Sequence, residues 1–239
     1  MKPIATAPSR AEQVYTAIRD SICDGSLRPG THLVQEDLAA RLGVSRQPVQ
    51  QAMALLKNEG LVLEKGARGL YVAPLDADAT VHHYQIRLSL DLLAARLTAE
   101  RAARSPDFAR QLLSDGERIL AAGERALAKG SHRDAVAMDV EFHSFIYEMS
   151  GNPLIVGAAE PHWYYLRRVM VAVLNYAERG PIVWKQHRDI LDALAAGKAD
   201  EACAMVKAHI LGAEAAFLRV LPAVAPPDPE PAPRAPVAL

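Results

Sequence analysis

The sequence predicts a mainly α chain in two unequal parts: short helices closed by a small two-stranded hairpin, then a longer all-α helical bundle. Three observations carry this. Glycine and proline interrupt the first 75 residues repeatedly, at Gly25, Pro29-Gly30, Gly43, Gly60, Gly66 and Gly69, leaving room for short elements only. From about residue 78 the texture changes to long alanine- and leucine-rich segments with 3.6-residue periodicity. After Val72 no strand-like alternation recurs.

The first helix, roughly Arg10 to Cys23, places Ala11, Val14, Ile18 and Ile22 along one face, and Asp24-Gly25 ends it. After Leu27-Arg28-Pro29-Gly30 a short helix opens with Gln35, Glu36 and Asp37, acids that suit the positive end of a helix dipole. It carries Leu38 and Leu42 inward and stops at Gly43. Ser45 is the expected cap of a third helix, which tolerates Pro48 because amides of the first turn have no intrahelical partner. Leu61-Val62-Leu63 and Leu70-Tyr71-Val72 flank the loop Lys65-Gly66-Ala67-Arg68-Gly69 and form a hairpin with a basic tip. The later segments break near Ser105-Pro106, Gly130, Gly151-Asn152-Pro153, Gly180-Pro181 and Gly197, which gives six helices. From Pro222 onward, seven of the sixteen prolines lie among alanines, the composition of a disordered tail. The expected division is therefore residues 1–75, 76–221 and 222–239.

At 239 residues and 50% hydrophobic content the chain can bury two modest cores. No apolar run approaches the roughly 20 residues of a membrane span, and Met1-Lys2-Pro3-Ile4-Ala5-Thr6 lacks the apolar centre of a secretory signal, so a cytoplasmic protein is expected. Cys23 and Cys203 stand far apart with no CxxC pair, which argues against a disulfide framework or a zinc knuckle and makes both small core residues. The formal net charge is -1, which argues against indiscriminate nucleic-acid binding.

In the third helix Val49, Ala52, Met53 and Leu56 form the buried stripe, leaving Arg46, Gln47, Gln50 and Gln51 at the free end. Arginine can grip guanine through two hydrogen bonds and glutamine can do the same to adenine, and a recognition helix presents its first turns to the major groove. A small bundle with a polar surface helix would share this periodicity. The run Gly25-Ser26-Leu27-Arg28-Pro29-Gly30, then Leu38 through Val49 as LAARLGVSRQPV, then Leu55 to Gly60-Leu61-Val62, is more specific, and it resembles the winged helix-turn-helix of the GntR family over roughly Val14 to Val72. The resemblance implies operator binding by Ser45, Arg46, Gln47 and Pro48 and by the wing around Gly66 and Arg68. Two departures stand out: members carry arginine then glutamate where this chain has Gln50-Gln51, and an arginine that some use on the preceding helix falls at Glu36. Weaker phosphate attraction follows from both.

In the bundle, Asp139 and His143 are one turn apart and share a face with Val136 and Ile146. His187 lies on a stripe with Val183, Ile190, Leu191 and Leu194, and His209 on one with Ala202, Met205, Val206, Ala213 and Ala216. Any one of these histidines is an ordinary core residue. Together, a carboxylate and three imidazoles in an alanine-rich interior cost several kcal/mol unless paired or metal-bound, and one divalent ion satisfies all four. Zinc is the first expectation, and nickel, manganese or iron also suit three nitrogens and one oxygen.

Asp139-Val140-Glu141-Phe142-His143, Ser150-Gly151-Asn152-Pro153-Leu154, Gln186-His187-Arg188-Asp189-Ile190 and His209 resemble the FCD ligand-binding domain of FadR-type GntR regulators, over about Ala79 to Leu221; six helices place it near the VanR-like subgroup. The resemblance implies a metal on Asp139, His143, His187 and His209, with a small effector, often a carboxylate, completing its coordination. Arg87 matches an arginine that can clamp such a carboxylate; its other reading is an ion pair with Asp91 one turn later. His82, His83, His132 and His162 read as surface or packing residues, with His83 able to line the same cavity; Tyr164, Tyr165, Arg167 and Arg168 read as a solvated helix face. The expectation is a homodimeric repressor that reads double-stranded operator DNA under control of that effector. A metal-dependent enzyme is the rival, though no nucleophile-base-orienter set is visible, and a constitutive DNA-binding protein with a structural metal is the third possibility.

Overall fold

The computed structural model describes residues 8–65, 69–176 and 180–224. Its elements run α1 (Arg10–Cys23), β1 (His32–Leu33), α2 (Gln35–Leu42), α3 (Arg46–Asn58), β2 (Val62–Glu64), β3 (Leu70–Val72), then α4 (Ala77–Arg104), α5 (Pro106–Ala128), α6 (His132–Met149), α7 (Pro153–Tyr176), α8 (Gly180–Ala195) and α9 (Ala199–Val224). The fold is mainly α, as the periodicity predicts.

Local chemistry starts and stops these helices. Ser9 and Glu12 form a reciprocal capping box at α1, and Ser105, Ser131 and Asp76 cap α5, α6 and α4 through their side chains. Gly43 ends α2 at φ 65°, a left-handed turn that a residue with a Cβ adopts only with strain, and so sets the tight angle between α2 and α3. Val14, Ile18 and Ile22 of α1 meet Val49, Ala52, Met53 and Leu56 of α3 in a first core, which Leu61, Val62 and Val72 complete from the sheet.

That sheet has three strands, in the order β1-β3-β2 and all antiparallel, rather than the expected two. His32 and Leu33 supply the extra strand; two residues are too few for alternation to show in sequence. Pairing holds them in place: Val72 N–H donates to Thr31 O at 2.9 Å, Leu33 is buried, and the His32 ring stacks on Tyr71 with centroids 4.7 Å apart. The last helix runs past Pro222, where the sequence pattern changes. Helix α9 carries Pro222, which has no amide to give the preceding turn, and ends two residues later at Val224, with Val220 and Leu221 packed on the core; residues 225–239 lie outside the described residues.

In the second core α4 is central and touches each of the other five helices. Its buried positions Thr80, Tyr84, Arg87, Asp91, Ala94, Ala95, Thr98, Ala99 and Ala102 recur at helical spacing, with small alanines admitting neighbours closely and polar groups placed between them. The alanine-rich sequence thus packs backbones near one another and relies on a few large side chains to fill the gaps. Gly123 of α5 is one contact of this kind, since a Cβ there would lie 2.0 Å from the Trp184 ring. Gly123→Ala should destabilise the fold by about 1–3 kcal/mol through overpacking, whereas Gly157→Ala, at an exposed helical site with open space, should stabilise it by about 0.4–1 kcal/mol. Denaturant titration of both variants measures these opposite signs.

Candidate functional site

Helix α6 presents Asp139 and His143, α8 presents His187 and α9 presents His209, all four buried. One ligand atom from each lies within 4.8 Å of the others. Asp139 Oδ1 is 3.2 Å from His187 Nε2 and 3.8 Å from His143 Nε2, while His187 Nε2 and His209 Nε2 are 3.3 Å apart. Ligand atoms bound tetrahedrally at about 2.0–2.1 Å from a zinc ion stand roughly 3.3 Å from one another. Asp139 Oδ1 and His143 Nε2 are also buried without a hydrogen bond. Converging lone pairs with unmet bonding capacity fit a divalent cation.

The surroundings set the ligands' charge and aim. Burial pushes His187 and His209 below the ordinary imidazole range, His209 strongly, with help from the neighbouring histidines, so both are neutral and can donate lone pairs. Burial opposes ionisation of Asp139, but His187, His143 and Arg87 override it and hold the carboxylate well below its usual range. Asp91 Oδ2 lies 3.1 Å from His143 Nδ1, and Gln186 Oε1 lies 3.0 Å from His209 Nδ1, so each ring's far nitrogen is fixed. The Tyr147 hydroxyl donates to Asp91 Oδ1. The sequence pattern missed Gln186 and Tyr147 as positioning groups; Gln186 adjoins His187, but neither periodicity nor charge marks it.

A cavity of about 40 Å³ opens beside the quartet, walled by Arg87, Asp139 and His209 together with Tyr84, Trp184 and aliphatic side chains. Arg87 is 2% exposed, its Nε 3.5 Å from Asp91 Oδ2 and its guanidinium carbon 4.9 Å from the centroid of Trp163. Its Nε and Nη2 nevertheless lack hydrogen bonds. The pairing with Asp91 and the placement on the cavity wall therefore coexist. His83 is not on this wall: its Nδ1 lies 3.1 Å from His162 Nδ1 and its ring stacks on Tyr165.

At the other end of the molecule, Ser45, Arg46, Gln47 and Gln50 are exposed at the start of α3, and Pro48 is half-buried. Ser45 occupies the N-cap position, but its side chain makes no cap hydrogen bond. Arg46 forms an ion pair with Glu36 of α2. Lys57 pairs with Glu64, joining α3 to the sheet. Gly66 and Arg68 of the wing tip lie outside the described residues.

The face carrying Tyr164, Tyr165, Arg167 and Arg168 is not a solvated one, contrary to the expectation from its polarity. It docks α7 against the first core. Arg19 donates to the Tyr164 hydroxyl at 3.1 Å, Cys23 Sγ donates to Tyr164 O at 3.3 Å, and buried Arg168 donates to Ala73 O. The Tyr165 hydroxyl donates to Asp76 O and accepts from Asp76 N–H, each at 2.9 Å. Polar tips bonded to backbone let this seam bury side chains that look solvated in sequence.

A winged helix-turn-helix with a polar reading helix, joined to a helical ligand-type domain, is the architecture of a DNA-binding transcription regulator. Residues 10–72 match the family described as bacterial regulatory proteins, gntR family, and residues 82–212 match the FCD domain. A regulator from the unstable DNA locus of Streptomyces ambofaciens is 30% identical over 206 residues, covering 82% of this chain and 80% of that protein. The repressor RspR of Escherichia coli K12 is 25% identical, covering 77% of this chain and 78% of that protein. Among solved structures, a putative GntR regulator from Rhodococcus sp. RHA1 superposes with TM-score 0.75 at 27% identity, over 88% of this chain and 98% of that one. The chain belongs to the GntR family of DNA-binding transcription regulators and carries an FCD domain. These relatives are regulators rather than enzymes. Among the described residues, no helix is long and apolar enough to cross a membrane.

Zinc at a hundredfold excess over its dissociation constant should raise unfolding free energy by about 2.7 kcal/mol, roughly 5–10 °C in melting temperature. His187→Gln should abolish most of that rise in a thermal melt. Without metal, acid should destabilise the fold. The unfolded chain takes up protons on histidine near pH 6.5, while folded His187 and His209 resist them. Their contribution is complete above that pH and is lost as pH falls through it, so metal-free protein should melt at a lower temperature at pH 5.5 than at pH 7.5. Melting temperatures of metal-free protein from pH 7.5 to 5.5 read this slope.

Proposed function

We propose that this regulator is a homodimeric, cytoplasmic repressor whose grip on a two-fold operator is controlled by a small carboxylate bound beside a divalent metal, zinc in the first instance. The carrying observation is that Asp139 and His209 of the quartet wall one cavity together with Arg87, a buried guanidinium with two donors free of hydrogen bonds. Asp139, His143, His187 and His209 would hold the metal, which supplies positive charge and open coordination for an anion. Arg87 then orients the carboxylate through paired N–H donors. The name of RspR as a repressor supports the sign of regulation.

Residues 1–75 act as the reading unit and 76–221 as the core of the sensing unit. Ser45, Arg46, Gln47, Pro48 and Gln50 meet the DNA from the start of α3, and Gly66 and Arg68 from the wing. Two such heads related by a two-fold axis match a two-fold operator. Helix α7 supports communication between the units: Met170, Val173 and Leu174 wall the cavity, while Tyr164 and Arg168 of the same helix engage the first core and Ala73. An effector that weakens operator binding must itself bind less tightly to the operator-bound protein.

Arg46→Ala should abolish specific operator binding, and Gln50→Arg should raise affinity and steepen its salt dependence by adding a phosphate contact. Binding titrations at several salt concentrations on the promoter segment this protein protects measure both; unchanged affinity in Arg46→Ala would defeat the assignment. Chelation in the same assay separates the roles of the metal. Loss of effector response with DNA binding intact supports sensing, and loss of melting temperature alone indicates a structural ion.

A further inference from the structure

The cavity beside the quartet restricts the chemistry of its occupant. Resting on the carboxylate-sensing proposal above, we infer that the effector is a small monocarboxylate with a short, unhydroxylated hydrocarbon body, and not a sugar acid or a polycarboxylate.

Charge sets the first limit. The buried acidic and guanidinium groups at this site are Arg87, Asp91 and Asp139, and a histidine that gives its lone pair to a metal carries no charge. Arg87 and Asp91 compensate one another, so a divalent ion held with Asp139 leaves a single positive charge. One carboxylate brings the enclosed site to neutrality. A second or third carboxylate would be an unpaired charge in a desolvated chamber, which costs more than any remaining contact there returns.

The lining sets the second limit. The charged and ligating groups, Arg87, Asp139 and His209, all belong to or adjoin the quartet. The rest of the lining is mostly aliphatic, with Val136, Met170, Val173, Leu174, Val183 and Ala213 beside the rings of Tyr84 and Trp184. A carboxylate seated beside Arg87 therefore has a mostly aliphatic lining for its body. Each hydroxyl buried there without a partner costs about tenfold in affinity, whereas methyl and methylene groups gain by burial. The third limit is size: about 40 Å³ is room for roughly three water-sized centres, which suits a short body and not a six-carbon polyol chain.

Calorimetric titration of zinc-loaded full-length protein with isobutyrate, isovalerate, gluconate and succinate tests this. The first two should bind at least tenfold more tightly than gluconate, which probes the wall, and than succinate, which probes the charge balance. Gluconate or succinate binding as tightly as isobutyrate overturns the inference while leaving the carboxylate sensor standing. Absence of binding by all four overturns both. Val183→Asn, which places a polar group on the wall away from the quartet, should narrow the isobutyrate-to-gluconate ratio at least threefold; an unchanged ratio in folded protein also overturns the inference.

Discussion

The helical domain depends on how α4 buries a charged pair. Arg87 and Asp91, each about 2% exposed at the side chain, sit one turn apart on the helix that every other helix of the bundle touches. An ion pair in that position is expensive to desolvate, and its own attraction repays the cost only if its spare hydrogen-bonding capacity is used. Asp91 accepts from Tyr147 through Oδ1 and sets Oδ2 3.1 Å from His143 Nδ1, tying α4 to α6. Arg87 lines the cavity and has two buried donors without hydrogen bonds. The same pair that organises the core therefore also sets a guanidinium in the cavity wall.

The seam along α7 obeys a related constraint at lower charge. A long helix with Pro161 inside presents aliphatic side chains to the cavity on one side and tyrosine and arginine tips to the first core on the other. Buried Arg168 is held below the usual guanidinium range by desolvation, with the Ala73 carbonyl as its hydrogen-bonded acceptor. A seam stitched by a few backbone-directed hydrogen bonds is easier to shift than an apolar core of the same extent, because its alternatives differ by individual bonds rather than by whole packed layers.

Much of the fold was legible because its signals are local. Gly43, Ser105-Pro106 and Gly151-Asn152-Pro153 interrupt helices by backbone geometry, which sequence records directly. The stripe around His187 was legible for the same reason: Ile190, Leu191 and Leu194 are buried with it. What escaped depends on distant partners. Strand β1 exists because Val72 and Tyr71 receive it, and two residues carry no period. Tyr164 and Arg168 look solvated until Arg19 and Ala73 are placed opposite them. The assembly of the quartet follows from spacing within each helix, but Gln186 as the support of His209 required knowing that α8 and α9 lie side by side.

The Arg46–Glu36 pair at the tip of the reading head bears on how such a protein finds one short site among a chromosome of competitors. A guanidinium already matched to a carboxylate adds little to the long-range pull of the phosphate backbone, so a head that read DNA through Arg46, as proposed above, would linger less on arbitrary sequence. Only a base edge that offers two acceptors in the right plane replaces Glu36 with profit. Occupancy is governed by the ratio of specific to non-specific binding multiplied by the number of decoys, not by tightness alone. A reading head that withholds part of its charge gives up raw adhesion and gains speed of sampling.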